Sequence, residues 1–353
     1  MRHLATIRTI SELRPIPNAD RIEVAQVDGW ECVVAKGEFH TGDMIVYIEV
    51  DSVCPEKPEF EFLRERKFRV KTIKLRGQVS QGLVLPISIL PEGKKYQVGD
   101  DVTEVLGITK YDPQAVEEKS LVHQGKQSWF RSKFGGAARR AKFPDWIAKT
   151  DEERIQNLVG LFERERDAGT EFSVTEKVDG CSATYYLKKR RFRRPEFGVC
   201  SRNMQLHDRD SSAYWKVAEQ YDMENVLKKL IGKNSRVVLQ GEICGNKIQG
   251  NKYKIDGYRL FVFNLIFTDK HGVQKACRTL EIADRFQKAG VCLETVPMVG
   301  ERIRLPDTIA ELVEFSKGKS VVYKKQKREG IVMRAEGLSF KVINPDFLLA
   351  EKD

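Results

Sequence analysis

The Asp28-Gly29 step restricts the fold of this chain more than any other local feature. It separates two runs of alternating apolar residues, RIEVAQV (21–27) and WECVVAK (30–36). That pattern predicts a β-hairpin closed by a type I′ turn, which accepts only residues tolerant of positive φ. Further strand-like runs follow: GDMIVYIEV (42–50), KFRVKTIKL (67–75), QGLVLPI (81–87) and GDDVTEV (99–105), several opened by a Gly-Asp turn. Five or six strands over residues 1–110 predict a small OB-like β-barrel.

Composition sets outer limits. The chain has 353 residues, a length that suits about two domains. It is 41% hydrophobic and 32% charged, which suits a soluble folded protein and excludes a disordered tail. No apolar run approaches a membrane span, and the start MRHLATIRTISEL lacks the apolar block of a secretory signal. The seven cysteines are scattered, odd in number and never in a CxxC pair, so neither a zinc site nor a disulfide framework is expected. A cytoplasmic or otherwise intracellular location and a monomer are expected. The net charge of +10 points to a polyanionic partner.

That charge is unevenly spread. Between Lys119 and Lys149, eight basic residues face one acid, Asp145, and Trp129, Phe130, Phe134, Phe143 and Trp146 are interleaved with them. Residues 111–149 therefore read either as a solvated linker or as a connector that tracks phosphates and stacks on bases. From Thr150 a helix is predicted, with Thr150 and Glu153 as a capping box and Ile155, Leu158, Leu161 and Phe162 as its apolar stripe. Residues 150–353 then alternate strands (EFSVTE, ATYYLKK, RVVLQGEI, RLFVFNLIF) with helices (SAYWKVAEQY, TLEIADRFQKAG). An α+β protein follows, with a barrel module ahead of a mixed α/β domain.

Lys177-Val178-Asp179-Gly180 follows the strand EFSVTE. Alone, such a string reads more readily as a polar turn ending a strand. It is followed by Ser201-Arg202-Asn203, by Gly241-Glu242-Ile243 at the end of an apolar strand, and by the aromatic strand containing Phe261 and Phe263. Glu329-Gly330-Ile331-Val332 comes next, and Lys341 lies in LSFKV. A lysine is a nucleophile only when neutral, and its ordinary pKa is about 10.4. A nearby cation, either Lys341 or a metal, would lower it. Asp179, Glu242 and Glu329 buried together would be costly unless they surrounded a hydrated divalent ion, which prefers oxygen ligands.

In this order the strings resemble the motifs of covalent nucleotidyltransferases, the superfamily of polynucleotide ligases and mRNA-capping guanylyltransferases. The resemblance implies an ATP-grasp-like domain with two antiparallel sheets, Lys177 as the residue adenylylated by ATP, and Lys341 beside the α-phosphate. It implies Glu242 at the ribose hydroxyls or metal waters, Phe263 stacked on adenine, and Arg202 at the nucleotide or RNA end. Asp179, Glu242 and Glu329 would hold Mg²⁺ or Mn²⁺ through water. Arg154, in ERIQN, is a further candidate for the ATP phosphates. Many members end in Lys-x-Lys, where this chain has Ile343.

The segment SELRPIPNADRIEVAQVDGW resembles the opening of tRNA-binding OB modules. Only twelve residues follow Lys341, so the C-terminal OB domain of DNA ligases and capping enzymes is not expected. An OB-like module placed first resembles a clade of ATP-dependent RNA ligases that seal 3′-OH/5′-phosphate nicks, as do the strings SFKVINP and IKLRGQVSQGL. Nicked duplex RNA is then the expected partner, with Lys324, Lys325 and Lys327 leading into Glu329 as its contacts. The run KKRRFRR (188–194), expected on a hairpin tip, is a second basic element of the same kind. The rival readings are a capping guanylyltransferase, and a non-catalytic RNA-binding protein on a decayed catalytic fold.

Overall fold

A computed structural model describes residues 3–111, 140–207 and 212–350. Residues 119–139 of the basic connector, with Trp129, Phe130 and Phe134, lie outside the described residues.

The N-terminal part is built on β1 (Ala5–Pro15), β2 (Ile22–Val27), β3 (Trp30–Ala35) and β4 (Met44–Ile48). Four short strands follow: β5 (Ser52–Val53), β6 (Ile73–Leu75), β7 (Gln78–Ser80) and β8 (Leu83–Pro86). The main sheet runs β3-β2-β1-β4-β8. Its shape follows from β1, which pairs with β4 through Ala5–Thr9 and with β2 through Ile10–Pro15, with an irregularity between Ile10 and Glu12. A bulge there bends the strand, so one long strand serves both walls of an OB-type half-barrel. Ile10, Trp30 and Tyr47 fill one side, and Ile7, Phe60 and Leu106 fill the other.

Local expectations fail here in three places. GDDVTEV does not form a strand. Thr103–Leu106 is a short helix, α1, whose Thr103 hydroxyl accepts from the amides of Leu4 and Ala5 and so ties it to β1. KFRVKTIKL contributes only β6 and an isolated bridge from Arg69 to Val53. The hairpin at Asp28-Gly29 forms, but only Asp28 has positive φ (50°), so the turn is not type I′. Gly29 answers a different demand: a Cβ there would lie 2.6 Å from the Cα of Gln156. The hairpin tip is docked on the other half of the molecule.

Strand β9 (Thr109–Lys110) closes the N-terminal part, and β10 (Arg140–Lys142) begins the next. Helix α2 spans Val159–Asp167, not a segment starting at Thr150. Residues 150–154 are extended because tertiary partners take the would-be capping groups. Thr150 Oγ1 lies 2.9 Å from Ser182 Oγ, and the Glu153 carboxylate accepts from Asn157 at 2.8 Å. Lys341 N–H also donates to the Glu153 carbonyl at 2.8 Å. A short helix start is marginal on its own, and these bonds outcompete it. Ile155 and Phe162 are still buried as predicted.

Two antiparallel sheets follow. The larger contains β12 (Cys181–Arg190), β13 (Arg193–Cys200), β14 (Met204–Leu206), β15 (Arg236–Gly245), β16 (Tyr258–Thr268) and β17 (Gln274–Ala276), with β10 at its edge and the short β18 (Glu294–Thr295) paired parallel to β16. Residues 213–220 and 223–231 form helices covering one face, and their apolar sides meet Ala183, Tyr185 and Leu187 of β12. The smaller sheet runs β19 (Met298–Ile303), β11 (Phe172–Lys177), β20 (Gly330–Ala335), β21 (Leu338–Ile343). Phe143 and Trp146 of the connector do not offer themselves to bases. Phe143 is buried with Tyr186, and Trp146 meets the Tyr186 ring edge-on at 5.2 Å. Among the described residues no helix is long and apolar enough to cross a membrane.

Candidate active site

A pocket opens between the two sheets, with part of its wall supplied by the half-barrel. Lys177, Asp179, Arg202, Glu242, Phe263, Glu329, Lys341 and Arg154 all line it. Lys324, Lys325 and Lys327 do not. They are exposed on the loop leading into Glu329, where Lys327 lies 3.6 Å from Asp346.

Lys177 ends β11, and its Nζ lies 2.7 Å from both carboxylate oxygens of Glu329, which immediately precedes β20. The register places Lys177 opposite Gly330, so strand pairing itself aligns the two side chains. After Asp179 the chain passes so close to β15 that a Cβ on Gly180 would be 2.3 Å from the Ile243 carbonyl. Glycine at that position lets Asp179 and Glu242 share one pocket. Asp179 pairs with Lys252 at 2.8 Å, and its amide donates to Tyr253 Oη.

Phe261 and Phe263 are now distinguished. Phe261 is buried in the core, whereas Phe263 lines the pocket. Gln240 pairs with Asn264 and Gly241 with Val262, so Phe263 is the extra residue of a bulge. Bulges re-aim side chains, and this one turns a strand aromatic into the cavity.

The electrostatics depart from the sequence expectation at Lys177. Burial disfavours its ammonium, but Glu329 first, then Glu242 and Asp179, outweigh burial and push its pKa up. Lys341, expected to lower it, does not reverse that direction and pairs with Asp151 at 3.3 Å. The carboxylates carry the opposite strain. Burial pushes Glu242 up to about 8, with Lys177 opposing, and burial together with Glu329 pushes Asp179 up to about 7. Oxygen donors made reluctant to ionise by burial and by each other suit a divalent cation, which would favour their charged forms. Among the described residues no three such side chains converge closely enough to ligate one ion directly. The donor set therefore fits an ion that retains waters.

Several lining residues had no local signal. Asp151 binds Arg202 at 2.8 Å and both Lys110 and Lys341 at 3.3 Å. Burial opposes its ionisation, yet Lys341, Arg202 and Lys110 together hold its carboxyl well below the usual range. Asp51 of the half-barrel pairs with Arg69 at 2.7 Å and with buried Arg154 at 3.0 Å. Arg154 Nε and Nη1 are buried without a hydrogen-bond partner. Arg334 lies 5.9 Å from the Phe263 ring. Ile343, at the position where the resemblance led one to expect a second lysine, is buried in the pocket wall.

Comparison with known proteins agrees with this architecture. The family model described as OB-fold domain matches residues 4–87, and that described as RNA ligase matches residues 170–343. No curated protein matches the chain. Among solved structures, a mutant Naegleria gruberi RNA ligase with AMP and Mn is 35% identical, covers 99% of each chain and has a TM-score of 0.82. Another mutant of that ligase, with ATP and Mn, is 36% identical over 100% of both chains, with a TM-score of 0.82. The same ligase with pyrophosphate is 36% identical over 99% of this chain and 98% of that one, with a TM-score of 0.81. An OB-type half-barrel joined to two antiparallel sheets, matched end to end at this identity, places the chain in the RNA ligase family.

Proposed function

We propose that the chain is an ATP-dependent RNA ligase sealing 3′-OH/5′-phosphate nicks through a lysyl–AMP intermediate. The observation that carries this reading is the position of Lys177, held at 2.7 Å by Glu329 in a pocket shared with Asp179, Glu242, Arg202 and Lys341. The similar ligases carry ATP, AMP and Mn in their structures.

In the first step the neutral Lys177 amine attacks the α-phosphorus of ATP, forming a P–N bond as pyrophosphate leaves. The RNA 5′-phosphate oxygen then attacks that phosphorus, breaking the P–N bond and restoring the lysine. Finally the 3′-OH attacks the 5′-phosphorus and expels AMP. With the acids alone around it Lys177 is an ammonium, so the acids must be engaged elsewhere before it can attack. Asp179, Glu242 and Glu329 would hold Mg²⁺ or Mn²⁺ through water, and such an ion would supply positive charge that favours the neutral amine. Lys341 stabilises charge developing on the α-phosphate. Arg154, with two unsatisfied buried donors, receives the outer phosphates, and Phe263 stacks on adenine. Arg202 contacts the nucleotide or RNA end, and Glu242 also reaches the ribose hydroxyls. Lys324, Lys325 and Lys327 track the nicked duplex. In this reading 1–110 is the OB module, 111–149 the connector and 150–353 the adenylylation domain.

The test is label transfer from ATP carrying radioactive α-phosphate. The native chain should be labelled and Lys177→Ala should not, while sealing of pre-adenylylated RNA survives in the variant. Labelling of the variant would refute the assignment, and preferential labelling by GTP would favour capping.

A further inference from the structure

We infer that the β12–β13 hairpin tip grips the duplex arm of the RNA about one helical turn from the nick. This rests on the ligase reading but concerns a surface outside its pocket. The tip is a two-residue loop, Arg191-Phe192, between the paired Arg190 and Arg193. Phe192 is 92% exposed and has φ of 61°. Folding gains nothing from either property. A bulky side chain is strained in the left-handed region, where Gly or Asn is usual, and an exposed ring buries no apolar area.

The charges beside it are equally unspent. Arg190 is paired with Glu196, and Lys189 donates to the Gly232 carbonyl. Among the described residues, however, no ion pair engages Arg191, Arg193 or Arg194. Arg191 instead lies 5.0 Å from the Phe192 ring. Three uncompensated guanidiniums around a projecting aromatic match a phosphate backbone flanking the broad, shallow minor groove of duplex RNA.

Strand geometry sets the reach. Ser182, at the other end of β12, lines the pocket and pairs with Glu242. The eight-residue step from Ser182 to Arg190 puts the two-residue tip about 26 Å away, on the order of one turn of an A-form RNA duplex. A nick seated at Lys177 thus brings a long arm, but not a short one, to the tip.

The experiment measures binding of nicked RNA duplexes with arms of about 6 or about 16 base pairs, across a range of salt. The native chain is compared with the triple variant R191A/R193A/R194A and with Phe192→Gly. For the long arm, the triple variant should lose about 10-fold or more in affinity, and its log–log salt slope should fall by about 2. Phe192→Gly, which relieves the turn, should lose about 3-fold or more on the long arm only. AMP labelling and short-arm affinity should match the native chain in both variants. Unchanged long-arm affinity in the triple variant, or an equal loss on both arms, would overturn the inference. Failure of the native chain to take label would count against the ligase reading instead, and the arm-length comparison would still decide this one.

Discussion

Arg202, Lys341 and Lys110 converge on the one carboxylate of Asp151, whereas among the described residues no ion pair engages Arg191, Arg193 or Arg194 at the hairpin tip. In the pocket each charge is fixed by another, and the price is carboxyls displaced from their ordinary pKa. Individual identity therefore matters there, and replacing one residue changes the ionisation of its neighbours. At the tip the cations act through their number, on a partner that is itself a row of repeated charges. A pocket of the first kind is suited to bond making, and a surface of the second kind to holding a long polymer.

The largest effect that could break this contrast is at the nucleophile. Lys177→Ala should lower adenylylation by at least about 10⁴-fold, measured as protein-bound AMP, yet leave long-arm duplex affinity unchanged. A parallel loss of duplex binding would mean that the two regions are not independent. Next comes Arg154, buried between the halves. Arg154→Ala should cost about 3 kcal/mol in urea unfolding, because it removes the buried guanidinium that pairs with Asp51 between the halves. Gly29→Ala should be milder, about 1–3 kcal/mol, since the added methyl must push the Gln156 backbone away. It should slow adenylylation without touching the tip.

A finer test uses pH. The Asp151 carboxyl is held low in the folded state, so its stabilisation is present above its ordinary pKa, near about 4, and is lost as pH falls through the depressed folded value. Asp151→Asn should flatten this acid limb of stability, read from thermal melts between about pH 2 and pH 6. The smallest effect has the opposite sign. Phe192→Gly should stabilise the chain by up to about 1 kcal/mol in the same melts, as left-handed strain is released against the added freedom of glycine when unfolded. A stabilised protein that grips duplex less well would sharpen the contrast most directly.

The sequence disclosed the strands well, because alternation over six to eleven residues is a local record of which face is buried. It also brought together Lys177, Asp179, Glu242, Glu329 and Lys341, because their short strings follow one another in the order of the motifs they resemble, Lys177, Asp179 and Glu329 beside strand ends and Glu242 and Lys341 within strands. It did not disclose Asp51 or Lys110, whose partners Arg154 and Asp151 lie 103 and 41 residues away. Such pairs leave no periodic trace. The helix start at Thr150 failed for a related reason. Its capping residues are sound locally, but Ser182 and Asn157 claim the same side chains. The strand expected at GDDVTEV gave way to a helix whose Thr103 hydroxyl serves β1.

The fastening between the halves has a consequence for how such chains can be recombined. Trp30 donates to Asn157 at 2.7 Å, Asn157 donates to Glu49 at 2.6 Å, and Arg154 reaches Asp51. A chimera that exchanged the front module for a foreign one by cutting within the connector would strand a sealed-in guanidinium without its counter-ion. Successful grafts must therefore carry Trp30, Glu49 and Asp51 along with the module, or bring equivalents, so the heritable unit extends beyond the sheet to the clasp that fastens it.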